Sequence, residues 1–105
     1  MIATKQKKLP PTHPGELLRD EIMPAAKLTQ DRLAALLGVS RRTVNEIVTE
    51  KRSLSADMAH RLSHLFNTTP ELWLGLQQDY DLWQALHSPE VKAIRSLKPL
   101  LQSAR

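Results

Sequence analysis

The sequence predicts an all-α fold. Apolar residues recur at three- and four-residue intervals, prolines and Ser or Thr capping residues divide the chain into short segments, and no stretch alternates strictly as a half-buried strand does. At 105 residues, 41% of them hydrophobic, the chain suits a single domain with one small core. Cysteine is absent, which excludes a disulfide framework, a thiolate metal site and a cysteine nucleophile, and makes the reducing cytoplasm the expected compartment.

Residues 1–11 carry Lys5, Lys7 and Lys8 with no apolar run behind them, and they end in two prolines. They are expected to form a flexible basic arm that lies on phosphates or stays in solvent, not a signal peptide. No window approaches the roughly 18 apolar residues of a membrane span, so a soluble protein without a membrane partner is expected. Residues 12–87 form the expected domain and 88–105 a short helical tail.

The first helix opens at Thr12-His13-Pro14-Gly15-Glu16, where an early proline loses no hydrogen bond, and buries Leu17, Leu18 and Ile22; Pro24 is expected to end it. Thr29 caps the second, Gln30–Leu37, with Leu33, Ala34 and Leu37 on one face and Gly38 as its left-handed stop. Ser40 caps the third, Arg41 to about Thr49, which buries Val44, Ile47 and Val48. Ser55 caps the fourth, Ala56–Phe66, burying Met58, Ala59, Leu62, Leu65 and Phe66. Thr69-Pro70-Glu71 opens the fifth, to about Leu86, and Ser88-Pro89-Glu90 repeats that start signal for a short sixth helix.

The second and third helices, joined by a turn with glycine at its head, have the spacing of a helix-turn-helix unit from about Thr29 to Ser53. Ala34 permits close approach, Val39 plugs the angle, and Val44 and Ile47 anchor the third helix from beneath. Its remaining face carries Arg42, Glu46 and Thr49, flanked by Thr43 and Asn45, with Arg41 at the helix tip. These residues match a helix whose N-terminal half meets base edges in the major groove. Arg pairs bidentately with guanine and Glu accepts from the cytosine amino group, each contact discriminating by about 1–3 kcal/mol. The base-contact candidates are therefore Arg41, Arg42, Thr43, Asn45 and Glu46. Gln30, Ser40, Thr49, Lys51 and Arg52 are the phosphate-contact candidates that set register. Ten of the fifteen Lys and Arg residues and six of the eleven acids precede Ser53, so this half carries the whole net charge of +4, a modest positive field that suits a polyanion partner and that many small proteins also carry.

On these motifs the chain resembles the phage-repressor-type (XRE) helix-turn-helix family, and within it the HigA/VapI-type antitoxins. His13-Pro14-Gly15-Glu16 and the stretch from Thr69-Pro70-Glu71-Leu72-Trp73 through Gln77 to Tyr80-Asp81-Leu82 carry the resemblance, which covers about Thr12 to Leu86. It implies a five-helix phage-repressor-like domain, a homodimer on palindromic double-stranded operator DNA, repression of its own operon, and neutralisation of a small basic ribonuclease toxin of the HigB type. It also supports Arg41, Arg42, Thr43 and Glu46 as recognition positions. One departure is the turn after the recognition helix: the family often places glycine there, whereas this chain reads Thr49-Glu50-Lys51-Arg52, with an acid beside the expected phosphate contacts.

The fifth helix is apolar over more than one face. Leu72, Leu76, Trp83, Leu86, Tyr80 and Trp73 form the side expected to enter the core, leaving Leu74 and Leu82 to face a second subunit. His60 and His64 have a metal-ligand spacing, but they face away from the apolar stripe and lack a third ligand, so no metal or other cofactor is expected. Ser40, Asp31 and His13 make no catalytic set, because no nucleophile elbow or phosphate-binding glycine loop accompanies them; an enzyme is not expected. Two alternatives remain beside the antitoxin: a stand-alone regulator of the same fold, and a module that only inhibits a protein partner.

Overall fold

A computed structural model describes residues 10–101 of the chain, all of whose regular elements are helical. The first helix, α1, spans residues 14–26. It begins as an α-helix at Pro14–Leu17, widens to a π-helical turn at Leu18–Ile22, and closes as an α-helix at Met23–Ala26. Then follow α2 (Gln30–Leu37), α3 (Arg41–Val48), α4 (Ala56–Phe66), α5 (Pro70–Leu86) and a short α6 (Val91–Arg95). The lysines of the expected basic arm, Lys5, Lys7 and Lys8, lie outside the described residues.

Pro24 does not end α1. A proline inside a helix lacks its N–H, and its ring crowds the carbonyl four residues back. The turn just before it widens, so that the Met23 N–H reaches the Leu18 carbonyl and the chain continues past the proline. The helix stops at Lys27, which adopts the left-handed conformation (φ 57°).

The capping residues act as their spacing predicts: Thr29, Ser40, Ser55 and Thr69 each accept a hydrogen bond from the backbone N–H three residues on. Ser88 does not. Its hydroxyl donates back to the Ala85 carbonyl at 3.0 Å, and α6 starts without a side-chain cap and buries nothing.

The core gathers Leu18, Met23, Leu33, Ala34, Leu37, Val44, Ile47, Val48, Leu54, Met58, Ala59, Leu62 and Trp73, with Leu17, Ile22, Val39, Leu65, Phe66 and Leu74 packed around it. The sides assigned to the first four helices thus face inward, and truncating a residue such as Leu62 is worth about 2–5 kcal/mol. The fifth helix is rotated from its expected orientation. Trp73 and Gln77 are buried, whereas Leu72 is 45% and Leu86 53% exposed. A helix with apolar residues around most of its circumference does not specify its own inward face, and here tertiary partners choose it. Trp73 donates from Nε1 to the Thr68 hydroxyl at 2.8 Å, and Gln77 receives the Leu54 N–H at 2.8 Å.

Candidate nucleic-acid interface

The candidate interface is the outer face of α3, and both ends of that helix are clamped. At the entry turn, Gly38 has φ 73° and the Val39 N–H reaches the Ala34 carbonyl at 3.0 Å, a glycine stop of the Schellman type. Arg61, paired with Asp57, donates from Nη1 to the Leu37 carbonyl at 2.8 Å and satisfies the end of α2. Ser40 Oγ accepts the Thr43 N–H at 3.0 Å and lies 3.0 Å from the Thr43 hydroxyl.

At the exit, Glu50 occupies the place where glycine is usual. It takes φ 63°, its N–H reaches the Ile47 carbonyl, and the Lys51 N–H reaches the Glu46 carbonyl at 2.8 Å. Its acid side chain pairs with Arg19 Nη1 at 3.2 Å, and the same Nη1 donates to the Val48 carbonyl at 2.7 Å. A cation at a helix C-terminus is favourable, and this one also compensates Glu50 beside the expected phosphate contacts. The Arg19 guanidinium is pushed further up by its hydrogen bonds to Asp20 and Glu50, and the Asp20 carboxyl is held below its ordinary value chiefly by Arg19.

Along the outer face Arg41, Arg42, Asn45 and Thr49 are exposed, and Thr43 and Glu46 half-buried. Arg42 Nε donates to Glu46 Oε2 at 3.0 Å. Arg52 donates from Nε to Glu46 Oε1 at 3.0 Å, and its Nη2 lies 2.8 Å from the same oxygen in an ion pair. Held between two guanidiniums, the Glu46 carboxyl lies below the usual carboxylate range, the Arg42 hydrogen bond contributing most. Asn45 Nδ2 donates to Gln30 Oε1 at 3.1 Å, joining the start of α2 to the middle of α3. Arg41 lies 3.4 Å from Asp31, and the Thr49 hydroxyl donates to its own helix at the Asn45 carbonyl, 2.7 Å away. Lys51 is exposed and forms no ion pair among the described residues. The ten candidate residues therefore lie on α3 and its N-cap Ser40, on the start of α2 or on the turn that follows α3, and Lys51 alone among the cations of this set forms no ion pair among the described residues.

Sequence reasoning missed the residues that hold α3 from behind. A Cβ on Gly15 would collide with the Ile47 carbonyl oxygen and sit 2.8 Å from its carbon, so only glycine lets α1 lie against α3. His13 is buried and caps α1, its Nδ1 accepting the Gly15 N–H at 2.8 Å. Its ring meets Tyr80 edge-on, with centroids 4.8 Å apart and planes at 87°. Burial lowers the His13 pKa, against opposing effects of Glu50, Asp81 and Glu16. The only signal for these roles was their place inside the two flanking motifs.

Residues 18–73 match a helix-turn-helix family model. Virulence-associated protein I of Dichelobacter nodosus is 38% identical over 104 residues, covering 99% of this chain and 94% of its own. Among solved structures, Pseudomonas aeruginosa antitoxin HigA with the higBA promoter superposes with a TM-score of 0.79 at 43% identity, covering 87% of this chain and 99% of that one. The chain belongs to the HigA-type helix-turn-helix family. Antitoxin GraA, also of this fold, superposes with a TM-score of 0.82 at 43% identity, covering 88% of this chain and 99% of its own; it has also been solved in complex with its operator. The HigA-type fold places α3 where its polar face is free, and the family consists of DNA-binding regulators, not enzymes.

On another face of this HigA-type domain, Leu74 and Leu82 line one shallow concavity of ≈ 470 Å³ with Gln77, Gln78 and Asp81. Leu82 is 59% exposed, whereas Leu74 is half-buried against the core. His60 and His64 are exposed on α4.

Proposed function

We propose that this chain is the antitoxin of a type II toxin–antitoxin pair, a cytoplasmic repressor that binds its own operator as a homodimer and also docks a small basic ribonuclease toxin. The observation that carries the DNA-binding reading is the exposed face of α3, with Arg41, Arg42 and Asn45 outward and Lys51 and Arg52 beside it. In this reading α3 enters the major groove, Arg42 reads guanine, and Lys51 and Arg52 bind phosphates. Leu74 and Leu82 supply the subunit contact that sets two such helices about 34 Å apart. Relatives of the same fold solved with promoter or operator DNA support the first half of this reading, and their antitoxin names the second.

A gel shift with the DNA upstream of the chain's own gene, at two salt concentrations, tests it, since phosphate contacts make affinity fall steeply with salt. Absence of any shift at low salt removes the DNA-binding claim. Arg42→Ala is expected to weaken specific more than non-specific binding, and Lys51→Ala to weaken both alike. Leu82→Glu is expected to yield monomers in sedimentation, and a toxin encoded next door is expected to co-purify with the wild-type chain.

A further inference from the structure

Glu46 belongs by spacing with the base readers, yet its surroundings assign it a different task. Its side chain is 24% exposed, against 85% for Arg42. The carboxylate is bonded by two arginines, Arg42 from one turn earlier on α3 at Oε2 and Arg52 from the loop beyond its end at Oε1. The two arginines engage the carboxylate unequally. Arg42 gives only Nε, which leaves Nη1 and Nη2 for the two acceptors of a guanine edge. Arg52 also donates from Nε, and its Nη2 lies 2.8 Å from the same carboxylate oxygen, which leaves the Nη1 N–H groups for a phosphate oxygen.

We propose that Glu46 is a positioning residue that determines specificity: it holds Arg42 for a guanine and Arg52 for a phosphate, and does not itself read a base. An arginine already held in its bound orientation loses less rotamer freedom on binding, so the site rewards a guanine placed where Arg42 points. The fixed negative charge between the arginines also weakens their attraction to any phosphate backbone, which lowers binding to unrelated sequence. Both effects widen the ratio of specific to non-specific affinity. This inference rests on the DNA-binding reading above.

The test uses Glu46→Gln, Arg52→Gln and the double variant in the full chain, with the wild-type shift on its own upstream DNA as the control that the DNA-binding reading must pass first. Affinity for that DNA and for a scrambled duplex is measured across salt concentrations, and the preferred site is selected from a library randomised at each position. Glu46→Gln is expected to raise affinity for the scrambled duplex about three- to tenfold, to steepen its salt slope by about one, and to leave the preferred base at every position unchanged. Arg52→Gln is expected to cost severalfold less in specific affinity on the Glu46→Gln background than on the wild type. A switch of preferred base at a single position, or equal losses on the two backgrounds, overturns the proposal and returns Glu46 to the base readers.

Discussion

Gly15 lies against the Ile47 carbonyl with no room for a side chain between them. The contact joins the first turn of α1 to the last turn of α3, so it sets the depth at which α3 is seated. Alanine is ordinarily better than glycine in a helix by about 0.5–1 kcal/mol. Here the collision decides the sign, because a methyl in closed packing costs about 1–3 kcal/mol or more. Gly15→Ala is expected to lower Tm by roughly 10–20 °C for a domain of this size, followed by circular dichroism. An unchanged Tm would mean that α1 can step back from α3 freely.

His13 gives the fold a pH dependence. Its Nδ1 must be unprotonated to accept the Gly15 N–H, and burial lowers its pKa from 6.5. The unfolded chain therefore takes up this proton at higher pH than the native one. The stability that His13 contributes is full above about 6.5 and is lost as pH falls below that value. Chemical denaturation at pH 7.5 and 5.5 is expected to show the loss. His13→Asn retains a capping oxygen without a titrating ring and is expected to flatten the dependence in this window.

Gln77 is buried with both ends of its amide engaged, Oε1 by the Leu54 N–H and Nε2 by Asp81 at 2.9 Å. Gln77→Met preserves the volume and leaves the Leu54 N–H without its partner, a loss of about 1–3 kcal/mol. Urea denaturation checks it, with a lower midpoint expected at unchanged slope.

Arg19 acts locally. Its side chain is 42% exposed, so solvent screens its pairs with Asp20 and Glu50 and they contribute little. Its bond to the Val48 carbonyl is the contact that ties down the end of α3. Arg19→Ala is expected to shift Tm by only a few degrees, while amide exchange at Glu50 and Lys51 accelerates about tenfold as the last turn frays. Uniform acceleration along the whole chain would show instead that Arg19 supports the global fold.

What the sequence determined by itself was most of what neighbours a few residues apart set, the expected cap at Ser88 and the expected end at Pro24 excepted. Thr29, Ser40, Ser55 and Thr69 are caps, Gly38 is a left-handed stop, and the buried sides of α2, α3 and α4 follow from a helix having 3.6 residues per turn, so the outer face of α3 was legible as well. The tertiary structure alone decided matters that depend on residues distant in the chain. The rotation of α5 follows from Gln77 meeting Leu54. The compensation of Glu50 comes from Arg19, 31 residues earlier, and the seat of α3 comes from Gly15. Glu46 shows the division within one residue: periodicity placed it on the outer face, but its task depends on where Arg52 returns from the following loop, and packing sets that path.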